Sequence, residues 1–255
     1  MFPVSMMIAT TAMLSGIGGA ALFTPIFLII FPLLGPEYPL DSVAAAISVA
    51  FLTETFGFSS GFVGYYRRGL ISFSSAVPFI VVGVPVAIIG AFLLLLVEPG
   101  ILKGAYAGLM LVLAIIMVRH HAPTEISAGV SESSAGAADA RPMRKVTGRD
   151  GKVYEFRKPR QGIASLATGF GAFLTGLLGV GIGEVVMPQL VKRNRVPIPV
   201  AAATSVFVVI VIVASASFTQ IGRLIADGGA STVPWNLVMY TIPAVIIGGQ
   251  IGPRL

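Results

Sequence analysis

Apolar residues in this chain come in long unbroken runs, not at the regular spacing of an amphipathic soluble helix or strand. Seven blocks stand out: 4–34, 42–66, 70–97, 100–118, 161–191, 197–222 and 233–252. Short polar or Pro/Gly-rich links separate them, such as Gly35-Pro36-Glu37-Tyr38-Pro39 and Glu98-Pro99-Gly100. A helix needs roughly 20 apolar residues to cross a bilayer, so the blocks predict membrane helices. Helices follow because backbone amides and carbonyls cannot stay unpaired in hydrocarbon. One stretch, 119–160, breaks the pattern. Its Ser/Gly/Ala-rich part, 127–139, holds too little apolar surface to fold and is expected to be disordered. Its later part, Lys145 to Phe156, alternates around Asp150-Gly151 and is expected to form a small hairpin. The domain plan is therefore a first membrane half at 1–118, a polar linker at 119–160 and a second membrane half at 161–255.

The halves resemble each other. Val43-Ala-Ala-Ala-Ile-Ser-Val49 matches Val200-Ala-Ala-Ala-Thr-Ser-Val206 at all but one position. Upstream, Gly16-x-Gly18 with Pro25 corresponds to Gly179-x-Gly181 with Pro188 at the same internal spacing. Downstream, Pro85-Val-Ala-Ile-Ile-Gly90 corresponds to Pro243-Ala-Val-Ile-Ile-Gly248. The predicted fold class is an all-α membrane protein of two homologous halves, a frequent plan among transporters, with the substrate site at the repeat interface. Block 100–118 has no counterpart after 252, so either the second half lacks its last helix or the chain is a fragment.

Charge sets the orientation. Nine of the 17 Lys and Arg residues lie between Arg119 and Arg160, which marks that stretch as the cytoplasmic loop. Blocks 4–34 and 161–191 are long for one crossing, and each contains a glycine cluster. If each crosses once, twelve basic residues lie inside and five outside. If both break at the glycines and return to the side they entered, the split is 15 to 2. The second arrangement satisfies the positive-inside rule better and makes the halves inverted repeats with glycine-broken or re-entrant helices.

Composition agrees with this picture. The chain is 55% hydrophobic and 11% charged, far from the quarter charged of soluble domains. Its net charge of +6 is concentrated in one loop and does not form a nucleic-acid surface, so no nucleic-acid partner is expected. Cysteine is absent, which excludes disulfides, thiolate metal sites and a cysteine nucleophile. The N-terminus, Met1-Phe2-Pro3-Val4, lacks the basic region of a cleaved signal and is expected to be membrane segment.

Candidate chemistry centres on the glycine clusters, Gly16, Gly18 and Gly19 in the first half and Gly179, Gly181 and Gly183 in the second. Small residues let helices pack closely. They also permit a break that aims a half-helix N-terminus, with its unpaired N–H groups and partial positive charge, at an anion. Ser48, Thr204 and Ser205 lie in the repeated Ala-rich segment, where their hydroxyls either donate to a substrate oxyanion or bond back to their own helices. Glu54 and Glu184 are carboxylates at membrane depth and thus candidates for proton coupling. Each also has a structural alternative: Glu184 as a partner of broken-helix amides, Glu54 as a partner of a neighbouring helix. His120-His121 lacks a third ligand, so no metal and no cofactor are expected. Tyr65, Tyr66, Trp235 and Tyr240 read as interfacial or packing aromatics.

These features together, Gly-x-Gly-Gly followed by Pro and then an Ala-rich segment ending in Thr-Ser, twice per chain across a polar loop, resemble the sulfite exporter TauE/SafE family. The resemblance spans roughly 1–118 and 161–255 and is strongest at the glycine clusters and at Ala203-Thr204-Ser205-Val206. It implies a secondary transporter, not an enzyme, that moves sulfite, sulfonates or related organosulfur anions, often outward, across a bacterial inner membrane. A membrane-embedded enzyme and a non-transporting scaffold subunit are the alternatives. The first would need clustered catalytic groups, and the second gains nothing from irregular backbone at membrane depth.

Overall fold

The computed structural model describes residues 2–15, 18–34, 42–119, 143–149, 151–157 and 164–252. The expected disorder at 127–139, together with Gly16, His120, His121 and the chain beyond Gly252, lies outside these. Ten α-helices and one two-stranded sheet are described: α1 (Phe2–Ser15), α2 (Ala20–Pro25), α3 (Phe31–Leu34), α4 (Val43–Arg68), α5 (Phe73–Leu94), α6 (Pro99–Arg119), β1 (Met143–Thr147), β2 (Val153–Arg157), α7 (Ala164–Leu178), α8 (Ile182–Pro188), α9 (Ile198–Gly228) and α10 (Trp235–Ile251). Three of them, α4, α5 and α9, are long and apolar enough to cross a membrane. Large side chains such as Leu166, Phe170, Phe218, Met239 and Tyr240 face outward, as a hydrocarbon environment allows.

The two long glycine-containing blocks fold alike. In each, a first helix stops at the glycines and a short helix follows. At a proline, that helix widens into a π-turn: Ile26–Ile30 after Pro25 and Gln189–Arg193 after Pro188. Proline has no N–H to donate one turn back, and the wider turn absorbs the missing bond. In the first block, the carbonyl that Pro25 leaves free is that of Ala21. Tyr106 of α6 donates its hydroxyl to that oxygen at 2.8 Å, which fastens α6 to the broken helix.

Contacts along the long helices fix their directions. Near the start of α4, Ser48 meets Gln220 near the end of α9. Phe62 near the end of α4 packs on Phe207 near the start of α9, with ring centroids 5.5 Å apart. The two helices are therefore antiparallel. By contrast α5 runs parallel to α9, from the Phe73–Phe207 ring contact to the Arg223 guanidinium that donates to the Phe92 carbonyl at 3.1 Å. Likewise α10 runs parallel to α4, from Thr53–Thr241 to Ser60–Gln250. In turn α1 lies along α10, with Thr10 donating to the Gly248 carbonyl and Met13 against Gly252. On the other side α7 lies along α5, where Gly176 meets the Ala87 carbonyl.

These directions settle where the broken blocks go. Helices α1 and α4 begin at the same face, so the chain from Phe2 to Ser42 returns to the face it entered. Helices α7 and α9 also begin at a common face, so the block between them returns as well. Each half packs mainly on helices of the other: α1 and α4 on α10, α7 and α9 on α5, and α4 on α9.

The expected hairpin forms, with Met143 opposite Arg157 and Thr147 opposite Val153. Lys145 and Glu155 face each other in register and form an ion pair at 2.6 Å. Phe156 is buried, and the Arg149 amide donates to the Arg68 carbonyl at 3.0 Å, which seats the hairpin on the end of α4. One block is longer than its apolar run indicates. Helix α9 continues past 222 to Gly228 through Arg223 and Asp227, an i,i+4 pair of opposite charges, and Gly229 ends it at φ 82°.

The exposed residues Lys152 and Arg193 therefore share a face, and the exposed Asp227 lies on the opposite one. Single cysteines at these positions in this cysteine-free chain are expected to react with an impermeant maleimide from the same side for Lys152→Cys and Arg193→Cys. Asp227→Cys is expected to react from the other side. Labelling of the first two from opposite sides would contradict the returning blocks.

Candidate functional site

The second break is a set of residues tied by hydrogen bonds. Helix α7 ends where Gly179 turns to φ 87° and Gly181 to φ 140°, backbone that side-chain-bearing residues rarely adopt. A Cβ at Gly181 would also stand 2.7 Å from the Gly171 carbonyl oxygen. Thr175 holds the corner together. Its hydroxyl donates to the Gly171 carbonyl at 2.9 Å and accepts from the Ile182 amide, the first of α8, at 2.7 Å. Glu184 closes the turn through Oε2, which accepts from the Gly181 amide at 2.9 Å. Together Thr175 and Glu184 satisfy amides that the start of a helix leaves unpaired. Gly183 is buried within the same first turn.

The first break reaches the same end by a different route. Thr175 corresponds to Ala12 and Glu184 to Ala21 at the repeat spacing, so neither capping group exists there. Instead Glu54 reaches across from α4, and its Oε1 accepts from the Gly19 amide at 2.7 Å. Glu54 is 2% exposed, and its second oxygen has no hydrogen-bond partner. Desolvating a carboxylate is costly unless such donors compensate it.

The two breaks meet in the interior. Gly179 lies against Ala20 and Phe51. A Cβ at Gly18 would stand 3.1 Å from Glu54 Oε1 and 4.0 Å from Glu184 Oε1, which puts these two oxygens no more than about 7 Å apart. Glu184 Oε1, like Glu54 Oε2, is buried and unpartnered. The carboxylates and glycines singled out in the sequence, apart from Gly16, therefore converge.

The hydroxyls divide. Ser48 donates to Gln220 Oε1 at 3.2 Å, and Gln220 donates onward to the Gly176 carbonyl at 2.7 Å, in a chain toward the opposite end of α9. Thr204 accepts from the Ser72 amide at 3.1 Å and joins the start of α9 to the start of α5. Ser205, next to it, is fully buried, and its hydroxyl has no partner. Of the three hydroxyls, Ser205 is the one with its hydrogen-bonding capacity unspent.

Thr175, Gln220 and Tyr106 are polar contributors that the sequence reading passed over. A lone glutamine inside an apolar block was a usable signal for Gln220, because such a group must find a partner at membrane depth. Of the aromatics, Tyr65 donates its hydroxyl to the Met13 carbonyl and Trp235 its ring N–H to that of Ala230, while Tyr66 and Tyr240 are exposed. Among the described residues, no three His, Cys, Asp or Glu side chains come together as a metal site.

No curated protein and no solved structure matches this chain. The family described as sulfite exporter TauE/SafE matches residues 1–255, and the chain belongs to that family of membrane transporters.

Proposed function

We propose that this protein is a secondary transporter of a small anion, namely sulfite, a sulfonate or a related organosulfur compound, and that it exports this anion across a bacterial inner membrane. Residues 1–118 and 161–255 act as inverted repeats joined by the cytoplasmic linker 119–160. The observation that carries the reading is the meeting of two broken helices in the interior, with Gly179 against Ala20 and Glu184 Oε1 facing Gly18. A desolvated oxyanion needs several donors, and a bilayer interior offers few unless helices are interrupted. In this reading the amides around Gly16, Gly18, Gly19, Gly179, Gly181 and Gly183 receive the anion, while Ser48 near the end of α9 and Thr204 and Ser205 near its start serve the path to and from that site. Glu54 or Glu184 carries the coupling proton.

Purified protein in proteoliposomes, loaded and challenged with sulfite, sulfate, methanesulfonate and acetate in turn, tests the proposal. Saturable movement of a sulfur oxyanion, driven by a pH gradient, is expected. Transport of acetate alone, or of none of the four, would overturn it. Ser205→Ala is expected to slow transport by up to roughly tenfold, through the loss of one hydrogen bond to the anion in passage, while Ser215→Ala, whose hydroxyl bonds its own helix, leaves transport unchanged.

A further inference from the structure

We infer that Glu54 is a tethered competitor for the transported anion: its carboxylate occupies the oxyanion position at the start of the broken helix Ala20–Ile30, and the substrate binds by replacing it. This rests on the anion-transport reading and adds the means by which the site is opened and coupled.

The geometry is that of a ligand more than of a cap. Glu184 caps its own helix from its first turn, a short-range contact within one element. Glu54 belongs to α4, 35 residues away, and reaches from the side onto Gly19, where a free oxyanion would have to dock. Its other oxygen is buried and bonded to nothing, so the Gly19 amide holds a carboxylate that brings more acceptors than the position satisfies. Nor is there space beside it. The adjoining cavity measures about 10 Å³, at the lower limit of the roughly 10–15 Å³ that a single water needs on the same measure and too small for an oxyanion. An oxyanion therefore reaches the Gly19 amide only when the Glu54 carboxylate moves away.

That exchange carries a proton. A bare carboxylate displaced from its amide into apolar surroundings is strongly disfavoured, whereas the neutral acid is not. Those surroundings are apolar on most sides: Ala9, Ala12 and Met13 from α1, Phe23 from α2, and Val245 from α10. Among the described residues, the titratable group facing Glu54 is Glu184 from α8; Tyr106 of α6 in turn faces Glu184. One proton taken from water onto Glu54 accompanies each anion bound, and its release to water accompanies the anion's departure and the carboxylate's return to Gly19. Binding thus weakens as pH rises, because the ionised competitor holds the site.

The probe is methanesulfonate, which keeps a single charge across the neutral range where sulfite itself titrates. Its binding to purified protein is measured by calorimetry at several pH values, together with proton uptake reported by a dye. Wild type is expected to bind less tightly by about tenfold per pH unit once the Glu54 carboxylate is ionised, and there to take up one proton per anion. Glu54→Gln is expected to bind at least tenfold more tightly at alkaline pH, with no pH slope and no proton uptake. Unchanged or weaker binding in Glu54→Gln with the wild-type slope would overturn the competitor role while leaving an anion site intact. Binding in neither protein at any pH would instead sink the anion-site reading itself. Should Glu54→Gln not fold, proton uptake in wild type decides the question, since anion binding without it contradicts the exchange.

Discussion

Gly181→Leu is expected to abolish transport and to lower the melting temperature of the purified protein by more than any other substitution considered. The backbone at Gly181 sits at φ 140°, which strains a side-chain-bearing residue by about 1–3 kcal/mol. A Cβ there would stand 2.7 Å from the Gly171 carbonyl oxygen and 3.2 Å from Leu174 Cβ, and overpacking adds about 1–3 kcal/mol. Even Gly181→Ala meets both effects, so alanine should lie between wild type and leucine. The strain also moves the Gly181 amide off Glu184, which undoes the start of α8. Thermal melting in detergent and anion uptake in proteoliposomes measure the two consequences. Wild-type uptake by Gly181→Leu would mean that the second break packs helices and does nothing more.

Thr175→Val is expected to show the next-largest loss, although valine has nearly the same shape. The substitution strips the hydroxyl that serves both the Gly171 carbonyl and the Ile182 amide, in a place with 1% exposure. A buried donor left unsatisfied costs about 1–3 kcal/mol. The melting temperature should fall by several degrees, and Thr175→Ser should recover most of the difference because it restores the hydroxyl. The corresponding residue in the first half is Ala12, and there Thr is not expected to help, because Glu54 already serves the Gly19 amide. Equal stability of Thr175→Val and wild type would show that Ile182 finds another acceptor.

The helices were legible because their signal is local. Apolar runs bounded by Gly, Pro and charged links place α4, α5 and α10 to within a few residues, and alternation around Asp150-Gly151 gives the hairpin. The breaks were legible too, since glycine clusters followed nine residues later by Pro25 and Pro188 interrupt the ladder wherever the chain goes. Counting basic residues then favoured returning blocks, and the shared starting faces of α7 and α9 agree with that count. What the sequence left open depends on approach between distant elements. Nothing near Glu54 announces that it will land on Gly19, because the contact exists only once α4 packs along α2. Local capping could be anticipated for Glu184, three residues beyond Gly181, and the pairing is found. The asymmetry between the halves follows from single differences: Ile47 where Thr204 stands, Val63 where Gln220 stands, Ala12 where Thr175 stands. Ser48 finds Gln220 across the interface, whereas Ser205, the counterpart of Ser48 in the repeat, is left without a partner.

The central claim is that the meeting point of the two broken helices holds the transported anion. Selenite is a sulfite analogue whose selenium can be located by anomalous scattering in crystals of the protein grown at mildly acidic pH. The account predicts one strong peak within hydrogen-bonding reach of the Gly19 or Gly181 amides, with Glu54 displaced from its contact. A selenium peak only in the cleft of about 310 Å³ lined by Ser42, Leu224, Asp227 and Thr232 at the opposite face, with Glu54 still on Gly19, would contradict it.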